Sequence, residues 1–334
     1  MRLLAVLTAV LLAACSADAP QELEIEGNTM GTQYSVKFGA EGLNAPALEA
    51  EIETVLADVN GMMSTYLADS EISRFNAFGS TDWLTVSGAF CLSVEKALEL
   101  SAYTDGAFDI TVAPLVNLWG FGPGEIVEEP PADAVIAAML QSVGYTKLRT
   151  DCSQPALRKD VPELMLDMSA FGKGFAVDRI AALLDGNGIK DYLVEVGGEL
   201  RLRGHNINGE RWAIGSVMPR TYERRPQTIV RLSAVALATS GDYRNFFVAG
   251  GQHYSHTIDT RTGKPVTHSL ASVTVLDRSG YRADALATAL LVMGPEQGMA
   301  LAMRDELAVL FLLRDGDSVS ERATPAFERL RSNG

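Results

Sequence analysis

The chain alternates between stretches with apolar residues every three or four positions and stretches with apolar residues every second position. Residues 46–60 put Leu48, Ile52, Val55, Leu56 and Val59 on one helical stripe. Residues 88–103 do the same with Phe90, Val94, Ala97 and Leu98, ending at Tyr103. The spacing predicts further helices over 132–142 and over 174–185, the latter through Phe175, Val177, Ile180, Ala181 and Leu184, with Gly186 and Gly188 as stops. Two more are predicted near 282–293 and 295–304, before a final strand at Leu307–Leu313. Met30–Phe38 alternates as a strand. Tyr192–Val196, Leu200–Arg203, Trp212–Val217, Thr228–Leu237 and Ser272–Leu276 are short and rich in β-branched residues. Asn206–Gly209 and Thr262–Pro265 have turn composition, and residues 122–131 suit a surface loop. Helices and strands mix without regular βαβ alternation. The expected class is therefore α+β, with mixed, largely antiparallel sheets and packed helices.

The N-terminus breaks this pattern. Leu3 to Ala14 is an apolar run behind Arg2, too short to span a bilayer, which takes about 20 residues. It has the form of a bacterial export signal. Leu12-Ala13-Ala14-Cys15 resembles a lipoprotein lipobox, in which the Cys is lipidated and becomes the new N-terminus. The expected organisation is a signal peptide (1–14), a lipidated Cys15 and tether (15–26), and one domain over 27–334. The expected location is periplasmic, anchored to a membrane by lipid. Ser16, where Asp often marks inner-membrane retention, favours the outer membrane.

Composition narrows the function. With 334 residues, 47% hydrophobic and 21% charged, the chain is ordinary globular material, neither disordered nor a disulfide-stapled mini-protein. Its net charge of −14 makes it a poor partner for nucleic acid, which is held by basic side chains. Loss of residues 1–14 removes Arg2 and no acid, so the mature chain is more negative still. Cys91 and Cys152 have neither metal nor redox spacing. Both are expected as small buried hydrophobes, in a compartment that permits a disulfide.

Familiar nucleotide sites fail. Gly172-Lys173-Gly174 lacks the rest of a Walker loop, and no strand leads into G-x-G-x-x-G. Five clusters remain: Met62–Tyr66 with Ser70–Asn76; Gly106–Leu115 with Asn117–Gly122; Leu166–Gly174 with Asp178; Thr239–Asn245 with Tyr254–Asp259 and Thr262–Pro265; and Ala283–Ala289. In this order they resemble the ApbE family of FAD:protein FMN transferases, from about Met30 to about Gly294. The resemblance implies a Mg²⁺-dependent reaction. FAD is cut at its pyrophosphate, AMP leaves, and FMN is joined by a phosphoester to a Thr or Ser of an acceptor protein.

The resemblance assigns FAD contacts to Met30, Tyr66, Ala107, Phe108, Asp109, Asp167, Lys173 and Ile258. It assigns the metal to Asp284, Thr288 and a main-chain oxygen at Ala170, with Ala287 as a further candidate through its backbone. The residue types are compatible with parts of this, although taken alone each also fits an ordinary structural role. Asp284 and Thr288 lie one helical turn apart, so a carboxylate and a hydroxyl project from one face toward a hard cation. Tyr66 offers a stacking surface for a flavin ring. Glycines between Ser169 and Gly174 suit close approach of backbone N–H groups to phosphate at the start of the 174–185 helix, with Lys173 adding charge. Asp167 repels phosphate and suits a base or ribose group. His256 is the candidate general base for an attacking hydroxyl. Asp259 either orients it or shapes the following turn. Thr260 stands where the family commonly has Pro, a departure expected to affect only the turn. Two other readings fit the same residues: an FAD pyrophosphatase using water, and a flavin-binding lipoprotein without catalysis.

Overall fold

A computed structural model describes residues 22–39, 44–124, 127, 129–217, 226–242, 245–316 and 318–332. The segment expected as a signal peptide, Cys15, Tyr243 and Arg244 lie outside the described residues. Among the described residues, seventeen strands and eight α-helices follow one another along the chain. The strands are β1 (Glu22–Thr29), β2 (Thr32–Gly39), β3 (Leu84–Thr85), β4 (Leu148–Asp151), β5 (Ala156–Lys159), β6 (Tyr192–Val196), β7 (Glu199–Arg203), β8 (Trp212–Val217), β9 (Pro226–Leu232), β10 (Val235–Gly241), β11 (Phe246–Ala249), β12 (Gln252–Ser255), β13 (Ile258–Asp259), β14 (Lys264–Pro265), β15 (Leu270–Asp277), β16 (Ala308–Asp315) and β17 (Ser318–Ala323). The helices are α1 (Ala45–Met63), α2 (Glu71–Ala77), α3 (Gly88–Tyr103), α4 (Ala113–Leu118), α5 (Asp133–Met139), α6 (Ser169–Gly186), α7 (Gly280–Arg304) and α8 (Pro325–Ser332).

Eight strands form one sheet in the order β1-β2-β6-β7-β10-β15-β16-β17, each pair antiparallel. The α+β expectation holds. Strand β16 carries an unbroken apolar run over Ala308–Leu313, and β15 is buried from Leu270 to Leu276, because both of their faces are covered. Val273, Val275, Val309 and Phe311 pack toward α7, while Ala271, Leu276, Leu310 and Leu312 meet Trp212 of β8, Leu232 of β9 and Phe327 of α8. The largest core cluster joins α1, α3 and α6 to the inward face of β1, β2 and β6.

Several expectations shift. Part of the segment expected as a tether over 15–26 is strand, since Glu22 to Glu26 pair with Gly39 to Ser35. The strand expected over 228–237 is two strands, parted where Ala234 takes a φ of 56°. Helices 282–293 and 295–304 form one element, α7, with a break at Gly294 (φ 79°) before Pro295. Described residues of 122–131 carry neither helix nor strand. Cys91 and Cys152 are joined by a disulfide, S–S 2.01 Å, instead of standing as separate thiols. The β4–β5 hairpin carries Cys152 up to α3, a tertiary approach that a separation of 61 residues does not disclose.

Candidate functional site

Where α6 crosses α7, neither helix has room for a side chain. A Cβ on Gly174 would collide with the Gly280 carbonyl and come within 2.8 Å of Asp284 Cβ. This contact sets Asp284 into the protein with 2% exposure, where its Oδ2 accepts the Gly174 amide at 3.0 Å. In a regular helix that amide donates to the carbonyl of Ala170, and Ala170 itself departs from helical geometry (φ −88°, ψ 20°). The first turn of α7 is held from α6 as well, because Asp178 accepts the Tyr281 amide at 3.2 Å.

Helix α6 begins at Ser169, five residues before the expected start. Gly172 and Gly174 are therefore helical. Gly174 serves the crossing with α7 and not a phosphate loop. Asp167 caps this start: its Oδ1 accepts the Ser169 amide at 2.7 Å, while its own amide donates to Ile110 at 2.8 Å. Leu166, just before it, is held by both ends of the Asn76 amide.

A cleft of about 390 Å³ opens beside these elements. It gathers eleven of the expected site residues: Tyr66, Ala107, Phe108, Asp109, Asp167, Ala170, Lys173, His256, Ile258, Asp284 and Thr288. Met30 does not line it. That residue sits in the β1–β2 turn with a φ of 51° and packs on the main core. Ala287 does not line it either, being fully buried between α7 and the sheet.

Tyr66 is 72% exposed at the rim, in a loop stitched by the Ser70 and Ser73 hydroxyls donating to the Ser64 carbonyl. Its open ring face suits stacking. Ala107 and Phe108 follow a turn in which Asp105 and Gly106 both take positive φ, 50° and 74°. The Asp109 carboxylate is committed to protein. It accepts the Thr111 amide and hydroxyl on Oδ1 and the Tyr145 amide on Oδ2. Its place at the cleft is thus that of a loop anchor, and burial pushes its carboxyl up.

His256 lies just past β12, half-buried. Its Nδ1 is 3.1 Å from the Asn245 carbonyl. A carbonyl only accepts, so Nδ1 carries the proton and the neutral ring keeps its lone pair at Nε2. Burial pulls this imidazole below its ordinary value, which favours the neutral form. Asp259 takes no part in orienting it. Both Asp259 oxygens hold the Arg261 guanidinium, so the carboxylate shapes the turn.

The opposite wall was less visible in sequence. Thr288 Oγ1 meets Ser240 Oγ at 2.8 Å. Thr260 Oγ1 donates to the Gly106 carbonyl at 2.9 Å and lines the cleft, so it does more than shape its turn. Glu199, with 3% exposure, pairs with Lys173 at 2.9 Å, and burial pushes its carboxyl up to about 7. The one signal for Glu199 was its place after Gly197-Gly198 at a strand end.

The donor set fits a hard divalent cation. Asp284, Thr288 and the Ala170 carbonyl offer only oxygen, as Mg²⁺ prefers. Burial pushes the Asp284 carboxyl up, and a cation beside it would reverse that penalty. Glu199 Oε2 is also buried there without a hydrogen-bond partner among the described residues. Among the described residues no group of three or more His, Cys, Asp or Glu gathers for a metal, so further ligands would come from substrate or water.

A sequence profile described as the ApbE family matches residues 30–311. A relative from Vibrio cholerae serotype O1, named FAD:protein FMN transferase, is 42% identical over 328 residues, covering 98% of this chain and 97% of its own. A relative of the same name from Escherichia coli K12 is 39% identical over 307 residues, covering 91% and 88%. The solved flavin transferase ApbE from Vibrio cholerae superposes with a TM-score of 0.86 at 41% identity, covering 93% of this chain and 99% of that one. The apo flavinyl transferase ApbE from Pseudomonas stutzeri gives 0.87 at 39%, covering 94% and 98%. The profile spans the cleft residues from Tyr66 to Thr288, and the chain belongs to the ApbE family.

Proposed function

We propose that this protein transfers FMN from FAD to a Thr or Ser hydroxyl of an acceptor protein and releases AMP. The observation that carries the reading is the convergence, in one cleft, of a neutral imidazole, a lysine, an oxygen-only cation site and an exposed aromatic ring. Relatives sharing about 40% of the sequence over nearly the whole chain bear the name FAD:protein FMN transferase.

The chemistry follows from these groups. Tyr66 and Phe108 receive the flavin, and Lys173 meets the pyrophosphate. The acceptor hydroxyl oxygen attacks the FMN phosphorus, a new P–O ester bond forms, and the pyrophosphate P–O bond breaks with its electrons leaving on AMP. His256 Nε2 takes the hydroxyl proton as the bond forms. Mg²⁺, when held by Asp284, Thr288 and the Ala170 carbonyl, supplies charge neutralisation at the pyrophosphate. The enzyme works in the periplasm, anchored through lipidated Cys15. The Cys91–Cys152 bond supports an oxidising compartment.

The test is to incubate the protein with FAD, Mg²⁺ and a candidate acceptor protein and look for fluorescent flavin on the denatured acceptor. Labelling that requires Mg²⁺ supports the reading. FMN and AMP formed with no labelled acceptor would favour the pyrophosphatase, and FAD bound without cleavage would favour a passive flavin carrier.

A further inference from the structure

The β6–β7 turn is built around Lys173, a residue of another element. Gly197 and Gly198 take φ values of 61° and 105°. A Cβ on Gly197 would stand 3.1 Å from Lys173 Cδ and 2.8 Å from Thr32 Cγ2. The bare turn therefore leaves space for the lysine stem. The next residue, Glu199, meets the head, Oε1 to Nζ at 2.9 Å. Glu199 is buried, lines the cleft, and leaves its Oε2 unpartnered among the described residues.

A carboxylate beside a pyrophosphate site is repelled by the substrate. Burying one with an oxygen unpaired is costly in its own right. Such a group favours substrate only by what it does to a neighbour. A lysine has a long stem with many rotamers, and an anion that must order it on arrival binds less tightly.

We propose that Glu199 is a positioning residue: it fixes the Lys173 ammonium at the pyrophosphate end of the cleft and acts on FAD only through that lysine. The proposal rests on the reading of Lys173 as a pyrophosphate contact.

The experiment is a double-mutant cycle on FAD affinity, read by flavin fluorescence on the full protein, with thermal melting of every variant. Glu199→Gln keeps an oxygen that accepts from the ammonium, while Glu199→Met has a similar length and offers only a weakly accepting thioether sulfur. Glu199→Met and Lys173→Met should each weaken FAD binding about tenfold, and Glu199→Gln no more than about twofold. In the Lys173→Met background, Glu199→Met should add less than about twofold. A Glu199→Met protein that binds FAD as tightly as the parent, or more tightly, overturns the proposal. So does full additivity of the two Met variants. Absence of FAD binding by the parent would instead overturn the flavin reading itself, which separates the two failures.

Discussion

Asp284 accepts the amide of Gly174 across the crossing of α6 and α7, so one contact both packs the helices and seats the carboxylate of the candidate cation site. Packing and chemistry are linked there, and a change in either helix reaches the cleft.

The link predicts the outcome of Gly174→Ala. The added methyl meets the Gly280 backbone, which has no rotamer to move away. Overpacking of this kind costs about 1–3 kcal/mol. The melting temperature should fall, and the Mg²⁺ concentration for half-maximal transfer should rise. An Ala variant with unchanged melting and an unchanged Mg²⁺ titration would contradict the crossing as the seat of Asp284.

His256→Ala should lower transfer by about 10²–10⁴-fold while FAD affinity stays near that of the parent. The sign of the pH effect follows from burial, which lowers this imidazole from its usual 6.5. The active base is the neutral form, so activity should hold as pH falls toward 6.5 and be lost only below it. An acid limb at or above 6.5, or one that survives the Ala substitution, would remove His256 as the base.

Breaking the Cys91–Cys152 bond should lower unfolding free energy by about 4 kcal/mol, from the loop entropy of a 61-residue separation. Denaturant melts of the double Ser variant measure this directly. Indistinguishable melts would mean that the reduced chain keeps the α3–hairpin contact unaided.

Thr260→Val removes the donor to the Gly106 carbonyl and leaves the side chain's shape unchanged. A hydrogen bond of this kind contributes about 1 kcal/mol. The turn that presents Ala107 and Phe108 should loosen, raising KM for FAD a few-fold with kcat unchanged, and Thr260→Ser should restore it. A Val variant with parental KM would return Thr260 to a turn-shaping role.

The parts legible in sequence were those written in local spacing. Asp284 and Thr288 lie one turn apart on α7, and the structure puts both on the cleft. The two-part α7 was signalled by Gly294-Pro295. What stayed hidden depends on approach between distant elements. Gly174 resembled a phosphate-loop glycine because Gly280, its reason for lacking a side chain, is over a hundred residues away. Glu199 showed only its place after Gly197-Gly198, because its partner Lys173 sits on another element. The Asn245 carbonyl that fixes the His256 tautomer is main chain, and a sequence does not show where a carbonyl points. Met30 and Ala287 were carried by resemblance alone, and the structure places neither on the cleft.

The most direct test of the flavin-transfer reading is the ratio of two products in one reaction. Protein, FAD, Mg²⁺ and an acceptor protein are incubated, AMP is quantified, and covalent flavin on the acceptor is counted by intact mass. The account predicts one AMP for each FMN attached to a Thr or Ser, with both products lost in Asp284→Ala. AMP accumulating with free FMN while the acceptor mass stays unchanged would contradict it, since the hydroxyl attacking phosphorus would then belong to water.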